Sequence, residues 1–145
     1  MNNSCIWKGK VQSVNRWHGA MCIKGKARIY ETPAYKKFKT SLAATFKNLD
    51  KVSGYVDLQV TVVLSSRADT GNIDKPIGDA LELAGVLEND KFIRNIAYYR
   101  HYHPNSGAKN KFEDILMIEL TKVSEEELET IEHQKKYDDF NVRKI

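Results

Sequence analysis

The chain of 145 residues is long enough to bury a core as one domain without disulfide or metal staples. Its 41% hydrophobic and 29% charged residues exclude global disorder, and no apolar run approaches the roughly 18 residues that a membrane span needs. The net charge of +4 is unevenly spread: residues 1–51 hold eleven Lys/Arg against Glu31 and Asp50, while the remainder holds twelve against seventeen acids. A basic half beside an acidic half is the pattern of a polyanion-binding surface next to a collector of cations.

The opening residues, MNNSCIWKGK, lack the apolar core of a secretion signal, and Cys5 and Cys22 make no disulfide framework. A cytoplasmic protein with free thiols and no membrane partner is therefore expected. Residues 5–14 alternate loosely between apolar and polar, as an exposed strand does. A basic, Gly-containing connection follows, in which ARIY (27–30) forms a short second strand. Thr32 and Pro33 supply a helix start, Thr as N-cap and Pro at the first helical position. Tyr35, Phe38, Leu42, Phe46 and Leu49 then fall at helical spacing and form its apolar stripe, with Lys36, Lys37, Lys39 and Lys47 off it.

Residues 54–65, GYVDLQVTVVLS, are the clearest strand, with Val56, Leu58, Val60, Val62 and Leu64 on one face. A helix is predicted from about Asp74 to Ala84, capped by Asp74, stopped by Gly85, and buried through Ile73, Ile77, Ala80, Leu81 and Ala84. Residues 92–103 and 112–120 read as two strands of an antiparallel hairpin. From Ser124 a run of acids gives helix-start chemistry. Together these elements predict an α+β domain over residues 1–122: a small mixed or antiparallel sheet with two packed helices. Residues 123–145 form an acidic C-terminal helical extension.

Between the clear strand and the strand after it lies RADTGNIDKPIGDALELAGVLEND (67–90), dense in carboxylates. One reading is an ordinary solvated helix face, with Lys75 and Asp79 paired four residues apart and Glu82 beside them. Asp69 and Asp90 fit it less well, because they sit in loops at strand ends, where a rigid scaffold mounts catalytic groups. A Mg²⁺ site takes one or two carboxylates, with water and substrate phosphate completing the octahedron. A neighbouring lysine offsets the charge that builds on a phosphate under attack.

The ordered set Asp69, Asn72, Lys75, Asp79-Ala80-Leu81, Gly85, Asp90 and Ile93 resembles the signature of the RusA family of Holliday-junction resolvases, roughly D-x-D-N-x-x-K-x-x-x-D-x-L, a short Gly-containing spacer, then D-x-x-[IV]. Upstream, SVNRWHG, ARIYETPAY and YKKFKTSL are similar to that family's N-terminal hairpin and first helix. The resemblance spans about residues 5–120.

It implies a homodimer that cuts four-way DNA junctions by paired symmetric nicks in recombination and repair, with Mg²⁺ (or Mn²⁺) as cofactor. By position it makes Asp69, Lys75 and Asp90 catalytic, with Asp69 and Asp90 as metal ligands and Asn72 and Asp79 as further motif positions; Asp79, and Asp74 as the nearest carboxylate in sequence to Gly71, are further candidate ligands. Asp57 is another carboxylate within reach by sequence. Arg16, Lys24, Lys26, Arg28, Lys36 and Lys37 are the candidate contacts to the DNA backbone. Gly71 departs from the signature: it stands where the family has its second aspartate. That departure keeps open a different class of function, a non-catalytic binder of branched DNA with a degenerate metal site.

Overall fold

The computed structural model describes residues 2–12, 18–65, 73–103, 113–130 and 132–134. Within them the chain runs β1 (Ser4–Gly9), β2 (His18–Ile23), β3 (Lys26–Glu31), α1 (Pro33–Phe46), β4 (Val56–Leu64), α2 (Asp74–Leu83), a short 3₁₀ turn (Asp90–Phe92), β5 (Ile93–Tyr102) and β6 (Asp114–Lys122). Four strands form a mixed sheet in the order β1-β6-β4-β5, and β2 and β3 form a separate two-stranded ribbon. The α+β class expected from the sequence is what these elements build.

β4 alternates as its sequence dictates: Val56, Leu58, Val60, Val62 and Leu64 are buried, while the residues between them face the other side. The buried face joins the apolar stripes of both helices, including Tyr35, Phe38, Leu42 and Phe46 of α1 and Ile77, Ala80 and Leu81 of α2, in one core. Thr32 caps α1 as predicted, its Oγ1 accepting from the Tyr35 N–H at 3.2 Å. Trp7 ties β1 to that helix through an indole N–H to Ser41 Oγ at 3.0 Å and an edge-on contact with Phe38.

Three expectations are corrected. β5 and β6 do not form a hairpin: β5 runs parallel to β4, and β6 lies antiparallel on β4's other side. The physical reason is the crossover. α2 carries the chain back along β4, which is how parallel neighbours are joined. β6 buries Leu116, Ile118 and Leu120 and takes an inner position; β5 has no fully buried residue and takes the edge. Next, the basic connection holds two strands rather than one, turned through Lys24 and Gly25, whose φ angles of 51° and 77° are those of a tight hairpin turn. Finally, Asp74 is the first helical residue and not the cap; Ile73 holds that position without a side-chain hydrogen bond.

After β6, Val123 is buried and donates its N–H to Tyr55 O at 2.9 Å. Residues 125–130 and 132–134 are helical, and Ser124 Oγ accepts from the Glu127 N–H at 3.2 Å, as the acidic run led one to expect. Among the described residues, no helix is long and apolar enough to cross a membrane.

Candidate functional site

Lys75 stands on the outer crest of α2 with 62% of its side chain exposed. At about 100° per residue, Asp79 lies about 40° to one side of it and Gly78 about 60° to the other. The first side faces α1, where Lys75 Nζ pairs with Asp79 Oδ1 at 3.0 Å and the Tyr35 hydroxyl donates to Asp79 Oδ2 at 2.9 Å. Both carboxylate oxygens of Asp79 are therefore engaged. Lys39 sits 5.3 Å above the Tyr35 ring and pairs with Glu31 at 3.2 Å. Glu31, Lys39, Lys75 and Asp79, with Glu82 and Leu83, line a shallow cleft of about 480 Å³.

The second side faces the turn that leads into β5. There the Asp90 side chain lies against Gly78, and its backbone N–H donates to Glu82 Oε1 at 2.5 Å. Asn89 caps the turn, its side chain accepting from the Lys91 N–H at 2.9 Å. Among the described residues, the Asp90 carboxylate has no hydrogen-bond donor.

Lys75 sits in the field of this whole group. Its ammonium is held above the ordinary lysine range by the hydrogen bond and charge of Asp79, partly opposed by burial, with lesser contributions from Asp90 and Glu82. Burial, then the bond to Asp79, pushes the Tyr35 phenol up as well. Asp74 is half-buried at the start of α2, and its charge adds slightly to the rise of the Tyr98 phenol on β5, which burial raises first and Arg100 opposes.

The structure thus brings Lys75, Asp79 and Asp90 together. Asp69, Asn72 and Gly71, and with them Arg16, lie outside the described residues. Among the described residues, no three His, Cys, Asp or Glu side chains are grouped to hold a metal ion. Asp57 is elsewhere: it faces away from the helices and is gripped by Arg94, at 2.9 Å and 2.5 Å, so it cannot stand in at α2. Of the basic candidates, Lys24 and Lys26 are exposed at the tip of the β2–β3 ribbon, and Lys36 and Lys37 on the outer side of α1. The backbone of Arg28 lies in β3, and its side chain is outside the description.

Several residues of consequence were not singled out by sequence. Glu82, read there as a wet residue, holds the Asp90 backbone. Tyr35, read as core, also reaches Asp79 with its hydroxyl. Gly78 carried one signal, a glycine in the middle of a helix, which costs stability unless something needs the space. Asp114 gave none. It is buried at the start of β6, where Oδ1 accepts from the Ser65 N–H at 2.7 Å and Oδ2 from the Val11 N–H at 2.8 Å. It thereby ties down the ends of the segments leaving β4 and β1.

Compared with the models of known protein families the chain matches none, and no curated protein is detectably similar to it.

Proposed function

We propose that this protein is a Mg²⁺-dependent, structure-selective endodeoxyribonuclease that nicks four-way DNA junctions. The observation that carries the proposal is the crest of α2: Lys75, held by Asp79, on the same helix face as an Asp90 carboxylate seated on Gly78. The signature resemblance supplies the reaction class and adds Asp69 and Asn72.

The donor set suits Mg²⁺, which binds through one or two carboxylates and leaves its other positions to water and phosphate. Asp90 and Asp69 would hold the ion, with Asp74 a further candidate ligand close to Asp69 in sequence. When bound, the metal supplies Lewis-acid activation of water and charge neutralisation at a phosphodiester; Mn²⁺ has the same donor preferences. Lys75 orients the scissile phosphate and offsets its developing charge. In this reading Asp79 is not a ligand: with one oxygen on Lys75 and the other on Tyr35, it aims the lysine. Lys24, Lys26, Lys36 and Lys37, with Arg16 and Arg28, track the DNA backbone, so binding weakens steeply as salt rises. A homodimer matches the near-twofold symmetry of a junction and makes two symmetric nicks.

A second reading, the non-catalytic binder of branched DNA, is favoured by one feature, Gly71 in the place of a family aspartate. One experiment separates them. A synthetic four-way junction and a linear duplex are incubated with wild type, Asp69→Asn and Gly71→Asp, in Mg²⁺ and in EDTA. The proposal expects Mg²⁺-dependent nicking of the junction that Asp69→Asn removes. Binding without nicking in wild type, with nicking gained in Gly71→Asp, establishes the second reading instead. Equal action on both substrates removes the structure-selective part.

A further inference from the structure

Glycine is the poorest helix former after proline, and Gly78 lies in the middle of α2, fully buried. It does not have the positive φ that would demand glycine. What it does have is a neighbour. A Cβ built on Gly78 would come within 3.2 Å of Asp90 Cβ, 3.8 Å of Asp90 Oδ2 and 3.9 Å of Ile93 Cδ1. One helical turn further on, Glu82 Oε1 accepts the Asp90 N–H at 2.5 Å. The helix therefore meets Asp90 at two points: an empty place beneath the side chain and an acceptor for its backbone. Lys75, one turn before Gly78, feels the charge of Asp90 across that place.

We propose that Gly78 and Glu82 are positioning residues that together set how deep the Asp90 carboxylate sits on α2, and with it the affinity of the site for its divalent ion. Gly78 lets the carboxylate lie down on the helix beside Lys75. Glu82 keeps the turn from lifting it off. Removing residues that orient a ligand without touching the metal commonly costs about 10- to 100-fold in metal affinity or activity. This inference rests on the nuclease reading above, since it concerns the same carboxylate.

The competing account is that Gly78 merely solves a packing problem. The two differ in what a small side chain does. Gly78→Ala improves helix propensity, so under the packing account it changes thermal stability alone. Under the positioning account it displaces Asp90 and raises the Mg²⁺ requirement. The test is junction nicking by the full chain against MgCl₂ concentration, with the KM for junction and the melting temperature measured alongside. It covers wild type, Gly78→Ala, Glu82→Ala and Glu82→Gln; the last keeps an acceptor for the Asp90 N–H.

We expect the half-saturating Mg²⁺ concentration to rise by about tenfold in Gly78→Ala and Glu82→Ala. Glu82→Gln should return toward wild type, and the KM for junction should be unchanged throughout. Should Gly78→Ala fail to fold, the Glu82→Ala and Glu82→Gln pair decides alone. Variants that titrate with Mg²⁺ as wild type does, or that lose only thermal stability, overturn the inference while leaving the nuclease reading intact. A wild type that nicks at no Mg²⁺ concentration overturns that reading and this inference with it.

Discussion

The two sides of Lys75 use the same chemical group in opposite ways. Toward α1, Asp79 spends both oxygens inside the protein, one on Lys75 and one on the Tyr35 hydroxyl. Toward β5, Asp90 spends its backbone N–H on Glu82, while its carboxylate lies on a bare stretch of helix without a donor among the described residues. A carboxylate that is already satisfied has little left for a metal. One held in place through its backbone, with its oxygens uncommitted, is what a metal centre requires. The contrast teaches that, among its described residues, the carboxylate-rich segment is not one cluster but two neighbouring devices on either side of one lysine.

The comparison can be sharpened by removing its parts in turn. Lys75 belongs to both sides and is mostly exposed. Lys75→Ala should therefore lower junction nicking by at least about 100-fold and shift the urea unfolding midpoint only by the small weight of an exposed ion pair; a large loss of stability would mean that the ion pair is structural after all. Asp114 gives the purely structural extreme, a carboxylate buried on two backbone donors. Asp114→Asn should cost about 2 kcal/mol in urea unfolding, because one donor is left facing an amide that cannot accept from it.

Tyr35→Phe touches only the α1 side. It should cost about 1 kcal/mol of stability and less than about tenfold in nicking; a loss as deep as that of Lys75→Ala would put Tyr35 in the chemistry.

The smallest effect is in pH. The pKa of Lys75 is raised in the folded chain, so its pair with Asp79 contributes stability that is fully present below the ordinary lysine value, near 10.4. That contribution is lost as pH rises through the higher folded value. The melting temperature of wild type should thus fall across this alkaline window slightly more than that of Asp79→Asn, by an amount limited by the solvent exposure of the pair. Parallel curves would show that the pair has no energetic weight.

Much of the framework was legible from local pattern alone. The alternation of β4, the Thr32–Pro33 start of α1 and the buried stripe of α2 follow from periods of 2 and 3.6 residues and from capping chemistry, which neighbouring residues decide. The pairing of β5 was not legible. Its edge position depends on β6 being the more apolar strand and on α2 acting as a crossover, both relations between distant segments.

The candidate site divides in the same way. Lys75 and Asp79 could be paired from their spacing of four. The commitment of Asp79 to Tyr35 joins residues 44 apart in sequence. The contact of Gly78 with Asp90, and the grip of Asp114 on Ser65 and Val11, likewise exist only once the chain is folded. In the sequence Gly78 shows only as a glycine inside a helical pattern, a breach of helix propensity with no stated partner.

The most direct test sets the two carboxylates against each other. Asp79→Asn and Asp90→Asn are compared for nicking of a four-way junction in Mg²⁺, with unfolding midpoints measured on the same preparations. Asp90→Asn is predicted to lose at least about 100-fold in nicking with its stability intact, and Asp79→Asn to keep nicking within about tenfold while losing stability. Equal nicking by wild type and Asp90→Asn, or a deeper loss in Asp79→Asn than in Asp90→Asn, would contradict the division of roles on which the account stands.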